Sequence, residues 1–136
     1  MAQTNRFIVI DDDALNNKIC TVCIEKIDKD ADVITFTDPA EGFAYVSTEY
    51  ARTDHTHNVT LFLDINMPAL NGWEWLDLFD KLDEKIKARV KIYILSSSVD
   101  KRDMERAKLN KYVVYYLIKP LTRESISLIT YAQKKK

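Results

Sequence analysis

Val59-Thr60-Leu61-Phe62-Leu63-Asp64-Ile65-Asn66-Met67-Pro68 is the stretch that decides the fold. Four of its first five residues are apolar and lead straight into a carboxylate, and a proline four residues later stops the chain from continuing as a strand. Asp64 is therefore predicted at the carboxyl end of a buried strand. In open α/β sheets that edge is where ligands bind.

Four more runs share this continuously apolar character: Phe7 to Ile10, Val33 to Phe36, Ile92 to Leu95 and Val113 to Ile118. They read as strands buried on both faces of a parallel sheet. Roughly 20 residues with helical periodicity separate successive runs, as parallel crossovers require. Helix starts are marked at Asp38-Pro39-Ala40-Glu41, at Asn71-Gly72-Trp73-Glu74 and at Thr122. The pattern predicts an α/β fold of (βα)₅ type, a doubly wound parallel sheet with the flavodoxin-like order 2-1-3-4-5.

The polar residues that end the strands then fall on one edge. Strand one ends in Asp11-Asp12-Asp13, strand three in Asp64, strand four in Ser96-Ser97-Ser98 and strand five in Lys119-Pro120. In the order 2-1-3-4-5 these converge beside Asp64. Carboxylates gathered so closely raise one another's pKa and persist only if a cation or proton compensates. Oxygen ligands without cysteine or histidine select a hard ion, and Mg²⁺ is the usual one where phosphate is handled. Lys119 can neutralise a phosphoryl group from one side while the Ser96 hydroxyl donates to another oxygen. Asp64, already anionic, can attack phosphorus without a general base.

Composition removes other classes. At 136 residues the chain reads as one domain spanning 1–136. With 46% hydrophobic and 30% charged residues, and no apolar run near the about 20 residues that cross a bilayer, it has no membrane partner to expect. Met1 to Arg6 lack a signal-peptide core, which predicts a cytoplasmic protein. A net charge of −1 gives no reason to bind nucleic acid, and Lys134-Lys135-Lys136 reads as a solvated helix end. Cys20 and Cys23 share a helix face and read as packing rather than a redox or zinc site. Arg52 to Asn58 is the loop expected to be most mobile.

Phe7-Ile8-Val9-Ile10-Asp11-Asp12-Asp13 with Asn16, Leu63-Asp64-Ile65-Asn66-Met67-Pro68 with Asn71-Gly72, Ser96, and Tyr116-Leu117-Ile118-Lys119-Pro120 occur in that order. Together they resemble the receiver domain of two-component response regulators, most nearly a stand-alone, chemotaxis-type one. The resemblance covers nearly the whole chain and implies no attached output domain. It implies that Asp64 is the phosphoacceptor, taking phosphate from a phosphohistidine on a sensor histidine kinase or histidine phosphotransfer protein. It matches Asp11 and Asp12, with Asp64 and the backbone carbonyl of Asn66, to the Mg²⁺ ligands. Ser96 and Lys119 match the hydroxyl and lysine positions, and the bond to Pro120 is expected to be cis. Asp13 then serves as a helix cap. Ser96 and Tyr116 match the switch pair, Tyr116 turning inward on phosphorylation. The surface of the fourth helix, strand five and the last helix would signal to a downstream protein effector. Tyr112, Tyr115 and Tyr131 are candidates to line it.

The chain departs from the family pattern at Val113-Val114-Tyr115, where small and acidic residues are common. Gly72 is expected to let the chain turn into the third helix. Trp73 and Trp75, two apart on that helix, are not both expected to face the core. A flavin module on the same fold is disfavoured because Asp11-Asp12-Asp13 would repel the flavin phosphate. The enzyme alternative is an aspartate-nucleophile, Mg²⁺-dependent phosphohydrolase. Those enzymes carry a second Asp two residues after the nucleophile, where this chain has Asn66.

Overall fold

The computed structural model describes residues 5–52 and 58–134. Five parallel strands form one sheet: β1 (Arg6–Ile10), β2 (Asp32–Phe36), β3 (Val59–Leu63), β4 (Val90–Ser96) and β5 (Val113–Ile118), in the order β2-β1-β3-β4-β5. The helices are α1 (Ala14–Ile27), α2 (Pro39–Glu49), α3 (Gly72–Asp80), α4 (Glu84–Arg89), α5 (Lys101–Leu109) and α6 (Arg123–Lys134).

Strand alternation divides the core in two. Ile8, Ile10, Leu61, Leu63, Ile92 and Ile94 face a cluster completed by residues of α2, α3 and α5, whereas Phe7, Val9, Phe62, Tyr93 and Leu95 face Cys20, Ile24, Ile126 and Ile129 of α1 and α6. Every residue of β3 is buried, as its apolar run predicts. The edge strands β2 and β5 are less covered: Val114, Tyr115 and Ile118 are all exposed. An edge strand has a neighbour on one side alone, so continuous apolarity there does not mean burial.

The caps form as expected. Asp13 and Asp38 accept amide hydrogens at the starts of α1 and α2, Asn71 and Glu74 form a reciprocal capping box, and the Thr122 hydroxyl accepts from the Ser125 amide. Helix α4 is an addition to the five-helix expectation. The chain turns at Lys81 and Leu82, restarts at Asp83 and buries Ile86, and Lys87 ties the new helix to the Asp80 carbonyl at 2.9 Å and the Tyr112 hydroxyl at 3.2 Å. The loop expected to be mobile centres on 53–57, outside the described residues, as do Lys135 and Lys136 and the side chain of Tyr131.

Both tryptophans are buried, which corrects the expectation for α3. Residues two apart do point in different directions, but each finds a cover. Trp75 lies between Phe43 and Phe79 with its indole N–H donated to the Pro39 carbonyl at 3.1 Å, and Trp73 lies beneath the Arg106 guanidinium, 4.7 Å from its ring centroid. Gly72 is likewise not a turn residue, since no residue among those described has positive φ. A Cβ there would stand 2.7 Å from both the Asp64 carbonyl oxygen and Ile65 Cα. Glycine lets α3 close onto the backbone that carries Asp64.

Candidate functional site

Register sets the site. Ile10 pairs with Leu63, Leu63 with Ile94 and Ser96 with Ile118; the β1–β3 ladder runs one bond further, from the Asp64 amide to the Ile10 carbonyl at 3.0 Å, and the β4–β5 ladder from the Lys119 amide to the Ser96 carbonyl at 2.9 Å. Asp11, Asp64, Ser96 and Lys119 are thereby brought to one sheet edge by the backbone ladders. The Lys119–Pro120 bond that follows is cis.

Asp11 and Asp64 are buried, at 2% and 5% exposure, and Asp12 is exposed. Lys119 Nζ lies 2.7 Å from Asp11 Oδ2 and 3.6 Å from Asp64 Oδ2. Asp11 also accepts from the Asn16 amide nitrogen at 2.8 Å and from the Asp13 backbone at 2.9 Å. Asp64 accepts from the Asn66 backbone at 3.2 Å. Burial raises the Asp64 carboxyl above its ordinary value, the Asp11 charge adds to this, and the Asn66 bond and Lys119 only partly offset them. Burial alone would lower Lys119, but its bond to Asp11 and the charge of Asp64 raise it on balance.

Carboxylate oxygens of Asp11, Asp12 and Asp64 lie within 4.8 Å of one another. An all-oxygen set of this kind, with one member held above its usual pKa by burial first and by the Asp11 charge next, fits a hard divalent cation. Ser96 is fully buried and its Oγ accepts from the Ser98 amide at 3.1 Å. Tyr116 packs against the α2–α3–α5 core and its hydroxyl donates to the Ser98 carbonyl at 2.8 Å.

The structure thus brings Asp11, Asp12, Asp64 and Lys119 together, and links Ser96 to Tyr116 through Ser98. Asn66 contributes its N–H to Asp64. Tyr115 is 65% exposed and stacks on Tyr93, while Tyr112 sits at the opposite end of the sheet, against Phe79 and hydrogen-bonded to Asp80. Three further residues carry the geometry: Asn16, which holds Asp11; Gly72, on which the acceptor backbone rests; and Ser98. Asn16 already stood, with Phe7 to Asp13, in the runs that carry the family resemblance, and its place in the first turn of α1 brings its amide back to Asp11.

A sequence model of the response regulator receiver domain matches residues 7–130. No curated protein matches the chain. Among solved structures, a two-component response regulator from Cytophaga hutchinsonii is 28% identical, with a TM-score of 0.87 over 99% of this chain and 100% of that one. A response regulator receiver protein from Dyadobacter fermentans is 25% identical, with a TM-score of 0.83 and 97% of each chain covered. The chemotaxis protein CheY4 of Vibrio cholerae shares the fold at 20% identity, with a TM-score of 0.71 over 97% of this chain and 98% of that one. With its parallel sheet in the order β2-β1-β3-β4-β5, its edge of acids and lysine, and a match that takes in every strand from Phe7 onward, the chain belongs to the response regulator receiver domain family, the phosphorylatable receivers of two-component signalling.

Proposed function

We propose that Asp64 is the phosphoacceptor and that the donor is a phosphohistidine on a sensor histidine kinase or histidine phosphotransfer protein. An Asp64 carboxylate oxygen forms the new P–O bond as the P–N bond breaks. The imidazole leaves with the bonding pair and is then protonated. The observation that carries this reading is the buried Asp64 beside Lys119 and two further carboxylates at a parallel-sheet edge. Asp64 needs no base, because Lys119 and a cation favour its ionised form.

Asp11, Asp12, Asp64 and the backbone carbonyl of Asn66 would hold Mg²⁺, which when bound supplies positive charge to the phosphoryl oxygens. Lys119, placed between Asp11 and Asp64, neutralises another oxygen from the protein side. Ser96 can donate its hydroxyl proton while its lone pair keeps the Ser98 amide. Tyr116 already engages Ser98, so an inward arrangement is available for phosphate to select.

The output surface is α5, β5 and α6, with exposed Val114, Tyr115, Ile118 and Leu128, and it would meet a downstream protein effector. The receiver domain, matched over residues 7–130, acts in the cytoplasm and passes its state on through protein contacts. No described helix is long and apolar enough to cross a membrane. The chemistry is the transfer to and slow release from its own aspartate. Asn66 offers no carboxylate for multiple-turnover hydrolysis.

The protein is expected to take up one phosphoryl group, or one beryllofluoride, only with Mg²⁺, and Asp64→Asn to abolish uptake, as read by intact-mass spectrometry. Labelling of another acid in Asp64→Asn would overturn the assignment.

A further inference from the structure

Helix α1 turns Asn16, Asn17, Cys20 and Ile24 inward, and part of its outer face is apolar. Leu15, Ile19 and Val22 are 67%, 42% and 41% exposed. With Lys26 they recur at spacings of four, three and four, which is the period of a coiled-coil seam. Leu15 and Val22 then hold d positions, and Ile19 and Lys26 hold a positions. Ile19, Val22, Cys23 and Lys26 also line, with Lys18, a groove of about 340 Å³. Residues at i, i+3, i+4 and i+7 are the four that form the hole for a knob from a facing helix.

The charges beside the seam select the occupant of that hole. Lys18 and Glu25 both fall on g positions and both are exposed, about 10.5 Å apart along the helix at 1.5 Å per residue. At that separation they do not pair with each other, and among the described residues neither has another ion-pair partner. A parallel helix would set g against e, and the e positions are Asn16, buried against Asp11, and Cys23, half-buried. Neither answers a charge. An antiparallel second α1 sets g against g, so that Lys18 meets the Glu25 of the second copy and Glu25 meets its Lys18. The same two-fold relation brings Ile19 of each copy over the groove of the other. A seam with opposite charges placed symmetrically about its own centre is complementary to itself.

We propose that α1 is a self-association surface, on which two copies of this chain pair helix to helix, antiparallel, about a two-fold axis near Thr21. Leu15, Ile19 and Val22 form the seam and two Lys18–Glu25 pairs fix its direction. The inference uses no step of the phosphoacceptor reading. Two heptads per helix bury less than a standard interface, so the dimer is weak, with a dissociation constant on the order of 10⁻⁴ M.

The test is sedimentation equilibrium of the full chain from about 10 µM to about 1 mM at low salt, where exposed charges are least screened. The wild type is expected to pass from monomer to dimer over this range. Ile19→Asp should remain monomeric throughout. Lys18→Glu sets like charges together at both pairs and should weaken association by about tenfold, and the exchange Lys18→Glu with Glu25→Lys should return it to within about threefold of wild type. Since the two residues do not touch within one copy, recovery by the exchange reports the contact between copies. All four positions changed or exchanged are at the surface, and circular dichroism confirms that each variant is folded. A wild type that stays monomeric at about 1 mM overturns the proposal and leaves the face to a different protein. A dimer that persists in Ile19→Asp, or an exchange variant no better than Lys18→Glu alone, overturns it as well.

Discussion

Asp11 holds Lys119 at 2.7 Å and Asp64 stands off at 3.6 Å, so the two buried acids are unequally compensated. Asp11 has two further donors, Asn16 and the Asp13 amide, whereas Asp64 has the Asn66 amide. Burial and the Asp11 charge raise the Asp64 carboxyl above 3.8, and its folded state therefore binds a proton more tightly than the unfolded chain does. Stability at this residue is lost as pH rises from the ordinary carboxylate value through the raised one. Asp64→Asn, which removes the charge and leaves Lys119 with Asp11, is expected to raise Tm in metal-free buffer at neutral pH. The increase should be about 4 °C, what about 1 kcal/mol makes at this chain length. The gain should shrink as pH falls below the raised value. A melt series from acid to neutral pH, with and without Mg²⁺, checks the sign; a wild type that gains on the variant as pH rises would contradict it.

Among the elements, α3 shows most clearly what sequence can and cannot disclose. Its start was legible, since the Asn71-to-Glu74 spacing specified the capping box that forms. Its burial was not. Helical spacing gives the angle between Trp73 and Trp75 but not what stands opposite each, and Arg106, 33 residues further on by subtraction of the two numbers, covers the first. The same limit hid the role of Gly72, because close approach is a property of two elements together. Adding a Cβ at Gly72 would press on backbone, which cannot rotate away. Gly72→Ala is expected to destabilise the fold by about 2 kcal/mol and to slow phosphoryl uptake, because the displaced segment carries Asp64. Chemical denaturation and a phosphorylation time course would show both, and a variant as stable and as quick as wild type would refute the packing role. Strand β5 carries a register irregularity opposite Ile92 and Ile94, which puts Val113 and Tyr116 on the same side of the sheet. Apolarity located β5, but nothing in Val113-Val114-Tyr115-Tyr116 announces the extra residue.

At the scale of the whole molecule, the sheet edge was readable because parallel topology leaves little freedom: once five strands and their order are fixed, the residues after them must meet. Asp11, Asp12, Asp64 and Lys119 met for that reason, whereas Ser98 owes its position to a loop that no periodicity constrains. The two-sided core also sets the fate of Cys20, fully buried between the sheet and α6 with its thiol pushed up to about 12 by burial first and by the Asp11 charge next. Alkylation of Cys20 at pH 8 should therefore need opening of the whole domain, and the native chain should react about 10³-fold more slowly than the unfolded one. Mass-spectrometric tracking of both cysteines over a denaturant series would show Cys20 labelling follow global unfolding. Labelling of Cys20 well before the unfolding transition would show that α1 opens by itself.

Trp75 sits in an aromatic nest with its indole N–H satisfied, and Trp73 sits under a cation borne by another helix. The two indoles are thus a reference and a probe in one emission spectrum. Light from Trp75 should hold steady while that from Trp73 follows the distance to Arg106. The molecule carries its own optical gauge of the gap between α3 and α5, readable in a stopped-flow cuvette without any attached dye.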